Sequence, residues 1–253
     1  MNNKTYLERL FDSDKSLIIY RVKGGFDVYT DFSKKINLDK HNAKNFFNKI
    51  SKIKNSKNKF FDGYVGFLSY ELQCKLIGVK IPKQKSNGFC DNYFYKPETL
   101  IQIRKGIKVF STLKKFKHKK DLELSNKKFF YEKKFNINLT LKQYTKFFEG
   151  FSKKIREGKT YQIKICQKYR NKSCIDSVQF FWKLMKVNTS PESFMIRDKD
   201  YSIISCSPET LIDKKNNRII TKPIAGTLKR NKKTTLNYAK NFFAKNEKES
   251  KEH

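Results

Sequence analysis

The chain has 253 residues, with 57 Lys and Arg against 24 Asp and Glu, for a formal net charge of +33. With 38% hydrophobic and 15% aromatic residues it can bury a sizeable core, which excludes wholesale disorder. No apolar run approaches the roughly 20 residues of a membrane span, and acidic residues in MNNKTYLERLFDSDKS occupy the place of a signal peptide's apolar stretch, so export is not expected.

The positive charge is lopsided, since only eight of the 57 basic residues are arginine. Nucleic-acid binders draw on arginine, whose planar fork grips phosphates and guanine edges in pairs. Here Lys, Asn and Ile are raised together along the chain, as a codon bias toward A and T would produce. The charge therefore reads as a solvated lysine surface, and nucleic acid is not the expected partner. The five cysteines (Cys74, Cys90, Cys166, Cys174, Cys206) form no C-x-x-C pair, so reduced thiols are expected. His41, His118 and His253 are far apart and form no ligand pattern for zinc.

In chain order, Leu17–Tyr20 and Phe26–Tyr29 read as two strands around a Gly24-Gly25 turn. Phe46, Phe47 and Ile50 then fall at helical spacing. The polar run 51–59 reads as a helix end and loop. FFDGYVGFLSYEL (60–72) reads as a strand whose interior glycines, Gly63 and Gly66, mark close backbone approach or a bulge. Residues 76–92 read as a loop and 93–113 as a hairpin turning at Lys105-Gly106. The run 114–128 is the best candidate for a linker or surface insertion.

The second half is more regular. From Thr140, the residues Tyr144, Phe147, Phe148, Phe151 and Ile155 form one apolar stripe, ended by Gly158. Tyr161, Ile163 and Ile165 alternate with polar residues as a strand would. Asp176 can cap a second helix, DSVQFFWKLMKVN, ahead of the strands FMIRD, YSIISC, TLIDK and RIITK. Hairpins interleaved with long helices predict an α+β fold rather than a parallel doubly wound sheet. The expected organisation is an N-terminal region (1–113), a linker or insertion (114–135) and the first half of a catalytic domain (136–253).

Three segments are more specific than composition. Gly158 to Lys168 is close to the pattern G-(D/E)-x-(Y/F)-Q, with Lys159 at its acidic position, Ser207-Pro208-Glu209-Thr210-Leu211 is an S-P-E-x-L motif, and Pro223 to Thr227 spells P-I-A-G-T. Upstream, DGYVGFLSYEL is a glycine-pair segment ending in S-Y-E-L, and at 249–253 the chain reads E-S-K-E-H. In this order the set resembles the chorismate-utilising enzymes, specifically the large subunits (component I) of anthranilate synthase and aminodeoxychorismate (para-aminobenzoate) synthase.

That resemblance implies a two-sheet α/β sandwich of the anthranilate synthase component I type, incomplete in this chain, because the E-x-x-E-H segment opens a longer family motif. It further implies chorismate as substrate, Mg²⁺ as cofactor and a glutamine amidotransferase subunit (component II) as partner, in the cytoplasm and without a membrane. Carried over residue by residue, Glu209 is the catalytic carboxylate, and Ala225, Gly226 and Thr227 bind substrate. Glu252 is the direct Mg²⁺ ligand and Glu249 the one acting through water; at i and i+3 they share a helix face. Elementary chemistry agrees with these residue types. A dicarboxylate whose ring hydroxyl must leave needs donors for its carboxylates and an acid for the departing oxygen. A glycine admits close backbone approach, and a threonine adds a hydroxyl.

The chain also departs from the pattern. Lys164, Lys168 and Lys222 stand where other residues, arginine among them, are usual, and Arg and Lys are not equivalent at paired contacts. No L-L-E-S motif of a tryptophan-inhibited enzyme is found, and its companion N-P-S-P-Y-M stands here as Asn188-Thr189-Ser190-Pro191-Glu192-Ser193. Ala225 lacks the amine that aminodeoxychorismate synthases typically carry there, which favours formation of anthranilate and pyruvate, with aminodeoxychorismate as the alternative product. These residues alone are expected to be inactive. A reading of another class, a basic non-catalytic RNA-binding protein, rests on the charge and on lysines interleaved with aromatics at 129–135.

Overall fold

A computed structural model of the chain describes residues 2–52, 62–81, 92–113, 122–224, 226–231 and 234–247. Residues 53–61, 82–91 and 114–121, which fall largely in the expected loops and linker, lie outside the described residues. The chain divides into two compact units, one of residues 1–125 with 177–253 and one of residues 126–176.

The first element is a helix that the sequence reading did not anticipate. In α1 (Asn3–Asp12) the Asn2 side chain accepts from the Thr5 N–H at 2.8 Å, capping the first turn. Tyr6, Leu7 and Leu10 then bury one narrow face. The expected hairpin follows as β1 (Leu17–Val22) and β2 (Gly25–Asn37), antiparallel with Val22 opposite Gly25 and with Gly24 at φ 82° in the turn. Helix α2 (Ala43–Ser51) carries the Phe46/Phe47/Ile50 spacing.

The segment 62–72 is a correction. Only β3 (Val65–Phe67) is strand, and S-Y-E-L opens a helix, α3 (Tyr70–Leu76), because the Ser69 hydroxyl accepts from the Leu72 N–H at 3.2 Å. The close-approach reading of Gly66 holds. A Cβ there would lie 2.0 Å from the Tyr93 carbonyl oxygen, so only glycine lets β3 reach its neighbour. The hairpin β4 (Tyr93–Ile103) and β5 (Ile107–Ser111) turns at Arg104–Gly106 as expected.

In the second unit, β6 (Asn136–Ile137) leads to α4 (Leu141–Arg156), and β7 (Tyr169–Arg170) returns antiparallel to β6. Thr140 and Gln143 form a reciprocal capping box, and Gly158 at φ 69° follows the helix end. No strand forms at Tyr161, Ile163 and Ile165, contrary to the alternation. A strand exists by pairing its backbone, and among the described residues the pairing in this unit is confined to Tyr169–Arg170 and an isolated bridge between Phe130 and Cys174.

The first unit resumes with α5 (Ser177–Val187), β8 (Glu192–Arg197) and β9 (Ser202–Ser207). The ribbon β10 (Thr210–Lys215) and β11 (Arg218–Lys222) follows, then α6 (Leu236–Lys245), capped by Thr235. The main sheet runs β3-β4-β2-β1-β8-β9, with β5 also on β4, and all its pairs are antiparallel. The α+β expectation is met.

Strand alternation gives this sheet two different faces. One packs Leu17, Ile19, Val28, Ile101 and Met195 against Tyr6, Leu7 and Leu10 of α1 and Val178, Phe181 and Met185 of α5. On the other face Ile18, Tyr93, Tyr95 and Ile196 form a second cluster. Beside it lies a polar network. Asp198 Oδ2 accepts from Lys35 Nζ and from the Tyr95 hydroxyl, both at 2.7 Å, while Oδ1 accepts from the Lys199 N–H at 2.8 Å and the Ser16 hydroxyl at 3.3 Å. Burial works to raise the Asp198 carboxyl, but the hydrogen bonds from Lys35, Tyr95 and the Lys199 backbone outweigh it and hold the carboxyl below its usual range.

Two outcomes follow from this packing. Phe181→Ala is expected to lower stability by about 3–5 kcal/mol through lost burial and a residual cavity, whereas Phe148→Ala on the exposed face of α4 should change it by under about 1 kcal/mol; urea midpoints with unchanged slopes would check both. Because the folded Asp198 pKa is depressed, its contribution is present above the unfolded value of about 4 and lost as pH falls below it. Asp198→Asn should therefore be less stable at pH 7 and show a shallower decline as pH falls below about 4 in thermal melts.

Candidate functional site

On the sheet face away from α1 and α5 there is an open cleft of about 550 Å³. Its floor consists of alternate residues of β1 and β8, among them Ile18, Phe194 and Ile196. One wall is Tyr64 to Phe67, brought close by the glycine at 66, and the opposite rim is Ser207 with Glu209 to Ile212. The lining is aromatic and aliphatic, with two carboxylates, Glu192 and Glu209, as its ionisable acids.

These two glutamates differ in surroundings. Glu192, the first residue of β8, accepts from the Thr210 hydroxyl at 2.5 Å on Oε1 and from the Tyr20 hydroxyl at 3.0 Å on Oε2. Burial, the hydrogen bond and charge of Glu192 and the charge of Asp213 push the Tyr20 phenol up to about 12, so it remains a proton-bearing donor at neutral pH. Glu209 is exposed on the cleft rim, and its backbone carbonyl accepts from the Ser207 hydroxyl at 3.4 Å. Its carboxylate has no hydrogen-bonding or ionic partner among the described residues. One carboxylate is satisfied by the protein and the other is open to a ligand.

Among the described residues of the sequence-predicted site, only Glu209 lines this cleft. Gly226 (φ 75°) and Thr227 lie exposed on the loop after β11 and are not part of its wall. Ala225, Glu249 and Glu252 fall outside the described residues. Among the described residues no three His, Cys, Asp or Glu side chains gather as a metal site, so no described set fits Mg²⁺. Cys74, Cys166, Cys174 and Cys206 are free thiols.

Sequence reasoning missed Glu192, Tyr20 and Thr210. The available signal was a tyrosine within β1 and a glutamate opening β8, which becomes informative only when β1 and β8 are known to be neighbours.

Comparison of the sequence with known proteins identifies a family. The chorismate binding enzyme family matches residues 6–253. An anthranilate synthase component 1 from Buchnera aphidicola subsp. Rhopalosiphum maidis is 29% identical over 244 residues, covering 86% of this chain and 46% of that protein. One from Haloferax volcanii is 36% identical over 76 residues, 30% of this chain and 14% of that protein. An aminodeoxychorismate synthase component 1 from Escherichia coli K12 is 34% identical over 93 residues, 37% of this chain and 20% of that protein. The chain thus spans about half the length, or less, of the curated relatives it matches. With the match running through nearly all of its residues, the chain belongs to the chorismate binding enzyme family.

Proposed function

We propose that this chain works in the amination of chorismate by ammonia from a glutamine amidotransferase partner, in the cytoplasm, yielding anthranilate, pyruvate and water. What supports this choice of product is that the relatives aligning along most of the chain are named anthranilate synthase component 1, the Buchnera one over 86% of it, although shorter matches of 30% and 37% come from both branches. Ala225 points the same way, since it offers no amine to the substrate ring. No helix of the described residues is long and apolar enough to cross a membrane.

In this reading Glu209 is the catalytic carboxylate that faces the reacting ring; its exposed, unpartnered oxygens on the rim of an apolar cleft are open to a ligand. Gly226, in the left-handed region at φ 75°, lets the backbone come close to a substrate carboxylate, and the Thr227 hydroxyl and the Ala225 backbone add to that contact. Glu252, with Glu249 three residues earlier in the sequence, would hold Mg²⁺, which when bound stabilises charge on the substrate oxygens. That assignment rests on the resemblance of E-S-K-E-H to the family's E-x-x-E-H motif.

The test is product analysis of the protein expressed from its complete reading frame, supplied with chorismate, ammonia and Mg²⁺. Anthranilate with an equal amount of pyruvate is expected; aminodeoxychorismate without pyruvate would transfer the assignment to the other branch. Glu209→Ala should lower kcat by about 10²–10⁴ with little change in Mg²⁺ dependence. Glu252→Gln should instead raise the Mg²⁺ concentration needed for half-maximal rate, because a hard anionic ligand is lost. An unaltered Mg²⁺ titration in that variant would remove Glu252 from the metal site.

A further inference from the structure

We infer that Glu192 is a positioning residue: it closes the corner Ser207–Thr210 from both ends and so fixes where Glu209 presents its carboxylate to the cleft. The inference rests on the proposed role of Glu209. The ribbon β10–β11 is a separate two-stranded sheet. It follows β9 through a corner of two residues, Pro208 and Glu209, which by itself leaves several backbone dihedrals open.

Glu192 acts at both ends of that corner. Its backbone stands opposite Ser207 in the β8–β9 ladder, and its carboxylate takes the Thr210 hydroxyl at 2.5 Å. The second carboxylate oxygen takes the Tyr20 hydroxyl at 3.0 Å, which ties the brace to β1, the strand paired with β8. Within the corner the Ser207 hydroxyl reaches the Glu209 carbonyl at 3.4 Å. A single residue of the main sheet thereby holds the residue two before Glu209 and the residue one after it. Both oxygens of Glu192 are engaged by hydroxyl donors, so it acts on the reaction through the placement of Glu209. At this position the chain also departs from the family pattern, carrying Glu where N-P-S-P-Y-M would have Tyr.

The experiment compares Glu192→Ala, Glu192→Gln and Thr210→Val in the protein from its complete reading frame, by amide hydrogen exchange and by steady-state kinetics, alone and combined with Glu209→Ala. Glu192→Ala and Thr210→Val should speed exchange of amides 209–215 at least about tenfold while β1 and β2 stay protected. They should lower kcat about 10- to 100-fold, with KM for chorismate changed under about threefold, since misplacement by about 1 Å costs that much. Glu192→Gln should retain most of kcat. Hydroxyls both donate and accept, so an amide can hold both partners without the charge.

In the Glu209→Ala background, Glu192→Ala should cause no further loss, as expected of residues acting as one unit. An additive loss, or a Glu192→Gln variant as impaired as Glu192→Ala, would overturn the positioning role. Unchanged exchange at 209–215 would show that no brace exists. Full activity of Glu209→Ala would instead sink the reading of Glu209 itself. Thr210→Val removes a single hydroxyl and keeps the test open if Glu192→Ala does not fold.

Discussion

The buried guanidinium of Arg197 is the contact on which the main sheet's two-faced character depends. It lies at the end of β8 and donates through Nε to the Lys15 carbonyl at 3.0 Å, and through its two Nη atoms to the Phe11 and Leu10 carbonyls at 2.8 Å each. The last carbonyls of a helix have no partner within it, and the helix dipole leaves that end negative. A planar cation with several fixed donors satisfies both conditions at once, which an ammonium point charge cannot do with the same geometry. Through this contact, α1 is held to β8 although the bonded residues lie 186 and 187 positions apart in sequence.

With α1 in place, side-chain alternation assigns every other residue its duty. Leu17, Ile19 and Met195 face the helices and are fully buried, while Ile18, Phe194 and Ile196 face the cleft. Asp198, next after Arg197, joins Lys35 and Tyr95 in the polar network rather than the helix end. A one-residue slip of β8 against β1 would exchange these duties, so both buried charges also pin the register. The cleft is therefore the reverse side of the core, and its shape depends on how well the core is packed.

The second unit shows the opposite balance between local and distant forces. Helix α4 is specified within its own sequence by the Thr140–Gln143 capping box and by an amphipathic stripe. Phe147 and Phe148 on that stripe nevertheless remain 44% and 57% exposed. Tyr161, Ile163 and Ile165 have the alternation of a strand but no ladder, and Tyr161 is 84% exposed. A helix closes its hydrogen bonds internally, whereas a strand must find them elsewhere.

This difference marks how far the sequence alone reaches. Helices α2, α4 and α5, the two hairpins β1–β2 and β4–β5, and the strands β8 to β11 were legible because caps, glycine turns and periodicity act over a few residues. The ordered S-P-E and P-I-A-G-T motifs likewise identified the family, as the match across residues 6–253 bears out. Helix α1 was not legible, since four apolar residues in ten, Tyr6, Leu7, Leu10 and Phe11, make a faint stripe that becomes a core face only when Arg197 and α5 meet it. The opening of α3 within S-Y-E-L turned on a serine cap that the apolar run disguised. The partnership of Tyr20, Glu192 and Thr210 lay beyond any local pattern. It joins residues 172 and 18 positions apart, and only the antiparallel pairing of β1 with β8 and the corner after β9 bring their oxygens within hydrogen-bonding distance.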